Sequence, residues 1–147
     1  MSVSTDGILF WGIAYGDQLN ADAIAEECGI DKQDFTFEDL YAARMGFPRP
    51  NVEYTTESKP LFNEYWDQRR ELVKACTCEV EMYCSLEYTM WFACIKTSKY
   101  HVYRGYETEI PNGLASQPEW MQELKDFCEL MGLEYRDPKW LLVSYWG

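Results

Sequence analysis

The residues of this chain whose types and spacing could do chemistry begin with a run of carboxylates. From residue 17 to residue 39 the sequence carries eight acidic residues against a single basic one, Lys32. Like charges four residues apart on a helix, such as Asp22 and Glu26, gather charge and are mildly destabilising. We interpret the run either as an ordinary solvated helical face or as a patch complementary to a basic groove, as in a mimic of nucleic-acid phosphates. Its members are Asp17, Asp22, Glu26, Glu27, Asp31, Asp34, Glu38 and Asp39.

The cysteines form the second chemically notable set. Cys76, Cys78, Cys84 and Cys94 lie within nineteen residues, but the Cys-x2-Cys pairs that present two sulfurs to zinc are missing from the sequence. In an extended segment the first three share one face, which is as typical of core positions as of ligands. We therefore expect reduced thiols that pack as small hydrophobic side chains, with no metal and no cofactor.

The sequence offers few candidate residues for acid–base or nucleophilic catalysis. The chain has one histidine, and no Gly-x-Ser-x-Gly, phosphate-loop or HExxH pattern occurs in it. A pocket would be lined by polar residues that interrupt or follow apolar strands, although such residues also cap turns and satisfy backbone groups. We predict no catalytic residue and favour a protein that is not an enzyme. The candidate pocket residues are Tyr15, Ser85, Glu87, Tyr88, His101 and Ser144.

A tyrosine-rich segment is the remaining candidate for binding. Tyr100, Tyr103 and Tyr106 alternate with polar or basic residues over a short span. Aromatic rings give a large contact area at low entropic cost, so the segment is a candidate interface with a partner or with a second copy of the chain. Burial of the three rings in the core is the alternative.

The elements that must position these residues start and end the chain. The segment 7–16 is almost uninterruptedly apolar, and the segment 140–147 is again aromatic and β-branched. Both patterns are typical of buried strands, so we expect two central strands that pair or lie close together in one sheet. Gly12 in the first of them predicts a close approach to the backbone, most simply by a tryptophan or a helix, with a bound ligand as the alternative.

Between these two strands the pattern predicts four helices and two or three further strands. We expect an extended loop over 47–60, where three prolines occur. The predicted order gives one α+β domain over residues 1–147, with a mixed or antiparallel sheet of four or five strands. The helices are 21–28 with Asn20 as N-cap, a second after Thr36, 62–75, and a last one opened by a Ser116–Glu119 capping box. The strands are 78–84 and 89–97, joined by a turn at 85–88, and residues 101–104 are a candidate for a short third strand.

The charge balance limits the class of partner. The 147 residues include 25 acidic and 13 basic side chains, a net charge of −12. This disfavours direct binding to nucleic acid or to anionic membranes and favours a basic partner. No stretch approaches the roughly 18 apolar residues of a membrane span, and the first six residues lack the basic region of a signal peptide. We therefore expect a cytoplasmic protein.

Three segments together resemble a set of small, uncharacterised proteins encoded by bacteriophages. They are the opening Ser-Thr-Asp-Gly-Ile-Leu-Phe-Trp-Gly (4–12), the central Cys-Ser-Leu-Glu-Tyr-Thr-Met (84–90) and the terminal Ser-Tyr-Trp-Gly (144–147). The resemblance covers the ends and the middle of the chain and carries no catalytic residue. It implies a product made in the cytoplasm of a host bacterium, where small acidic proteins often inhibit host defence or host enzymes.

These observations favour a non-enzymatic accessory protein that binds and inhibits a host protein or nucleoprotein through its acidic helical surface. The expected partner is a host protein with a basic surface, and CRISPR effectors are one candidate, which would make the protein an anti-CRISPR. One alternative is a small-molecule binder or small enzyme with a pocket at the sheet ends. Another is a dimeric interaction module that associates through the tyrosine-rich segment.

Overall fold

A computed structural model describes residues 5–110 and 113–146. Ser4 and Gly147, which belong to two of the segments quoted above, lie outside the described residues. The α+β class is confirmed, with helices and a mixed five-stranded sheet. The elements are β1 (Thr5–Gly16), α1 (Ala21–Glu27), α2 (Phe37–Arg44), α3 (Lys59–Ala75), β2 (Cys78–Ser85), β3 (Thr89–Ile95), β4 (Tyr100–Val102), α4 (Trp120–Met131) and β5 (Lys139–Trp146).

The chain divides into two compact units. The first, here called the sheet unit, is formed by the chain up to Leu19 and from Thr77 onward. The second, the helical unit, is Asn20–Cys76 and contains α1, α2 and α3. The assignment of all 147 residues to one domain stays a prediction.

β1 organises the sheet unit, as the apolar pattern of its sequence predicts. It pairs antiparallel with β5 along most of its length, from Thr5 opposite Trp146 to Gly12 opposite Lys139. On its other edge β1 pairs with β4 and then with β3. The expected pairing of the first and last strands is therefore confirmed, and both lie inside the strand order β3-β2-β5-β1-β4. The expected burial of the last strand is wrong, because every residue of β5 is at least partly exposed and Leu142 is 74% exposed.

The strand pairings close on themselves. β3 pairs with β1 and with β2, and β2 reaches β5 through a short parallel ladder at Cys84 and Ser85. One face of the sheet holds a core in which the rings of Phe10 and Phe92 stack with centroids 4.0 Å apart. Ile8 and Cys94 are also buried there.

Gly12 allows the strand pairings to close on themselves. The expectation that a tryptophan or a helix packs closely against Gly12 was wrong. A Cβ atom built on Gly12 would lie 2.0 Å from the carbonyl oxygen of Ala93 and 2.8 Å from the Cα atom of Cys94. The close approach is therefore made by the backbone of β3, and neither a tryptophan nor a helix makes it. Only glycine permits the two backbones to come this near.

α4 covers part of the other face of the sheet. Its buried residues include Trp120, Leu124, Phe127 and Met131, the stripe that helical spacing predicts. The ring of Trp120 lies 5.7 Å from that of Trp11. The predicted capping box is wrong, because the helix begins at Trp120 and Glu119 makes no side-chain capping bond.

In the helical unit, the helices begin closer to the predicted N-caps. Asn20 Oδ1 accepts a hydrogen bond from the backbone N–H of Ala23 (3.1 Å), which starts α1. Thr36 starts α2, and Asp39 accepts from the backbone N–H of Thr36 at 2.9 Å. α3 starts three residues earlier than predicted because Pro60 lies in its first turn, where the missing N–H costs no hydrogen bond.

Candidate functional site

The acidic cleft is a pair of adjoining cavities in the helical unit. The larger has a volume of about 870 Å³ and the smaller about 460 Å³, and Glu26 and Ile30 line both. Five carboxylates line the larger cavity, and Asp22 lines the smaller one. The five are Glu26, Glu27, Asp31, Asp34 and Glu53.

α1 and the turn that follows it position most of these carboxylates. The helix ends at Glu27 with Cys28 as its C-cap, and Gly29 has a φ of 69°, a left-handed conformation that glycine adopts without strain. The next turn is fixed by Asp31, whose Oδ1 accepts from the backbone N–H of Gln33 and whose carbonyl accepts from that of Asp34, both at 2.9 Å. Asp31 and Asp34 are thereby held on the same turn.

The opposite wall comes from the proline-rich loop and α3. Phe62 is buried at 2% exposure, and the ring of Tyr54 packs edge-on against it with centroids 5.2 Å apart. The guanidinium of Arg49 lies 5.6 Å from the centre of the Phe62 ring. Arg49 is the basic residue among those lining the larger cavity, so carboxylates dominate its charge.

The carboxylates of the cleft are available to a partner. Asp22, Glu26, Glu27, Asp31 and Asp34 are exposed, and none of them takes part in an ion pair within the described part of the chain. The one sulfur in the wall is that of Cys28. Burial raises the pKa of this thiol, which keeps it protonated at neutral pH.

Three residues of the predicted patch lie elsewhere, and for Asp39 the prediction is wrong. Asp39 is 1% exposed and accepts hydrogen bonds from the Tyr65 hydroxyl at 2.6 Å and from Arg69 at 2.7 Å. Glu38 lies 3.8 Å from Arg69 and lines a separate depression on α3. Asp17 belongs to the sheet unit.

The candidate pocket residues do not meet in one pocket. Ser144 lies opposite Gly7 and His101 opposite Ile8, whereas Tyr15 is about seven residues, or roughly 23 Å, further along β1. Tyr15 is buried and donates to the carbonyl of Glu134 at 2.7 Å. Its pKa is raised, first by burial and then by its contact with Cys128.

The hairpin residues of that set shape a turn. Ser85 Oγ accepts from the backbone N–H of Tyr88 at 3.0 Å, and the side chains of Glu87 and Tyr88 are exposed. This is the turn-capping role that polar residues after a strand often have. The turn between β2 and β3 is therefore confirmed where it was predicted.

The tyrosine-rich segment is divided between strand and surface. Tyr100 is half-buried in β4, whereas Tyr103 and Tyr106 are exposed by 62% and 77%. The ring of Tyr103 stacks on His101 at 4.6 Å, and His101 Nε2 lies 3.0 Å from Asp6. An interface role for the two exposed rings stays a prediction.

An ionic cluster in the sheet unit was not predicted from the sequence. Lys99 Nζ lies 2.7 Å from Glu79 and 2.6 Å from Glu81. Burial alone would lower the pKa of Lys99, but its hydrogen bonds to the two carboxylates outweigh burial and raise it. Alternation along β2 places both carboxylates on one face, which was the available signal.

All six cysteines are free thiols. No group of three or more His, Cys, Asp or Glu side chains in residues 5–110 and 113–146 could hold a metal ion. Within the same ranges no helix is both long and apolar enough to cross a membrane.

Comparison with protein families, with curated proteins and with solved structures finds no match to this chain.

Proposed function

We propose that this protein is a non-enzymatic binding protein that docks its acidic cleft against a basic surface of another protein and blocks that surface. The supporting observation is the group of exposed carboxylates, free of ion pairs in the described residues, that line two adjoining cavities of the helical unit. Complementary charge across an interface steers association and selects the partner.

The shape of the cleft supports a protruding ligand such as lysine or arginine side chains. Carboxylates on the α1 side could pair with a guanidinium or ammonium group, while the ring of Tyr54, packed on the buried Phe62, offers aromatic surface to its stem or charge. Tyr54 is 53% exposed, so its ring is accessible to such a ligand.

The resemblance to bacteriophage proteins extends the proposal to the kind of target. A basic groove that normally holds nucleic acid is the surface that an acidic protein competes for most directly. The protein would then act in the host cytoplasm as an inhibitor of a defence nucleoprotein, with CRISPR effectors among the candidates. No direct contact with nucleic acid or membrane is needed.

Affinity capture from a host lysate at low and high salt tests this function. The site variant carries Asp22→Asn, Glu26→Gln and Glu27→Gln. A matched control carries Glu107→Gln, Glu109→Gln and Glu129→Gln, which are exposed carboxylates of the sheet unit and change the net charge equally. We expect the wild type and the control to capture the same protein at low salt and to release it at high salt.

The site variant should fold normally and fail to capture that protein. Equal capture by the site variant and the control would contradict a role for the cleft. Loss of capture by both variants would show a dependence on net charge alone and would also contradict it.

A further inference from the structure

The sheet unit contains a cavity with a volume of about 360 Å³ between the N-terminal end of α4 and the sheet. This volume lies within the range of small-molecule sites. Two tryptophans form its aromatic wall, with their ring centroids 6.2 Å apart in an edge-to-face arrangement. The lining includes Thr97, Tyr100, Gln117, Glu119, Trp120 and Trp140.

The indole N–H of Trp140 is unpartnered. It is the one buried side-chain nitrogen or oxygen without a hydrogen-bond partner within the described ranges. Buried tryptophan N–H groups usually find an acceptor, and an exception calls for a physical explanation. Trp140 as a whole is half-buried and lines the cavity, while its N–H is closed to solvent, so a hydrogen bond to a molecule bound there requires the ring to turn.

The remaining polar groups restrict the ligand. Gln117 and Glu119 are exposed at the cavity, and the Glu119 carboxylate can only accept hydrogen bonds at neutral pH. The carboxylate and the net charge of −12 disfavour an anion. A matching ligand offers an acceptor to Trp140, a donor to Gln117 or Glu119, and a flat ring to the indoles.

We propose that this cavity binds an uncharged, planar aromatic molecule that carries a carbonyl acceptor beside an N–H donor, as aromatic carboxamides and nucleobases do. The site lies in the sheet unit and is independent of the acidic cleft. Its ligand is neutral, so its affinity should depend little on salt, in contrast to that of a basic partner.

Benzamide is a suitable probe, with toluene as the ring without the amide and benzoate as the anion. In ¹H–¹⁵N spectra of the full chain, benzamide should move the indole N–H resonance of Trp140 downfield and shift that of Trp120. Toluene should shift the two resonances less and without the downfield movement. Benzoate should bind more weakly than benzamide.

Two variants separate the contributions of the Trp140 N–H and of the Glu119 charge to ligand binding. Trp140→Phe keeps a ring and removes the N–H, so benzamide affinity should fall about tenfold, the loss expected for one hydrogen bond. Trp66→Phe in the helical unit is the matched control and should leave the affinity unchanged. Glu119→Gln removes an exposed charge without touching the core, and the preference for benzamide over benzoate should then become smaller.

Benzamide that moves neither indole resonance would overturn the proposal, as would equal effects of benzamide and toluene. If Trp140→Phe does not fold, the Glu119→Gln comparison decides, and unchanged discrimination against benzoate would count against the site. None of these results bears on capture of a basic partner by the acidic cleft.

Discussion

At the scale of single residues, Asp39 shows what local sequence can and cannot predict. Its position in the first turn after Thr36 predicts a helix start, and the hydrogen bond to the Thr36 N–H bears this out. Its burial depends on Tyr65 and Arg69, which are 26 and 30 residues further along the chain. Nothing in the local charge pattern distinguishes this carboxylate from the exposed ones before it.

Replacing Asp39 tests this assignment. Asp39→Asn leaves the cation of Arg69 without its buried partner, so we expect the free energy of unfolding to fall by about 2–4 kcal/mol. Asp34→Asn changes an exposed carboxylate of the cleft and should alter stability by less than about 0.5 kcal/mol. Urea unfolding of both variants measures the difference, and equal stabilities would contradict a structural role for Asp39.

Gly12 supports a second prediction at this scale. Gly12→Ala places a methyl group against the backbone of β3, which cannot move as a flexible side chain can, so a loss of about 3 kcal/mol or more is expected. Gly7→Ala is the control, since its nearest neighbour is Leu142 Cδ1 at 3.9 Å. Thermal unfolding of both variants compares them. A Gly12→Ala protein as stable as Gly7→Ala would contradict the observed β1–β3 pairing.

At the scale of elements, the periodic patterns predict the strands and helices well and their termini less well. β1, β5 and the β2–β3 hairpin follow from runs of apolar or alternating residues, and α1 follows from Asn20 and Gly29. The predicted start of α4 was wrong. Ser116 and Glu119 have the spacing of a capping box, but the helix begins at Trp120 and the box does not form. The loop wall of the cleft could not be predicted, since Tyr54 packs there against Phe62 and Trp66 of α3 and Arg49 lies over Phe62.

The docking of α4 gives a prediction at this scale. Trp120 contacts both Trp11 and Trp140, so Trp120→Ala should lower the free energy of unfolding by about 3–5 kcal/mol. Met121 on the same turn is 50% exposed, and Met121→Ala should cost less than about 1 kcal/mol. Denaturant midpoints of the two variants measure the contrast, and similar midpoints would contradict the described face of α4.

At the scale of the whole molecule, protonation of buried groups couples stability to pH. Burial raises the pKa of Cys94 above its ordinary 9.0 and that of Tyr15 above its ordinary 10.0. The folded protein therefore keeps protons that the unfolded chain releases. Full stability is expected below about pH 9 and a progressive loss above it.

Thermal unfolding between neutral pH and pH 11 checks this dependence. Tyr15→Phe removes one of the titrating groups, so its stability should decline less steeply with pH above about 10 than that of the wild type. A wild-type midpoint that stays constant or rises through this range would contradict the assignment.

The central claim is that the acidic cleft binds a basic protein surface, and an arginine-rich peptide is the most direct probe of it. Calorimetric titration gives the dissociation constant for the wild type, for the Asp22/Glu26/Glu27 site variant and for the matched Glu107/Glu109/Glu129 control. Three lost charge pairs predict a weakening of about tenfold or more in the site variant and less than about twofold in the control. A site variant that binds the peptide as tightly as the control would contradict the account.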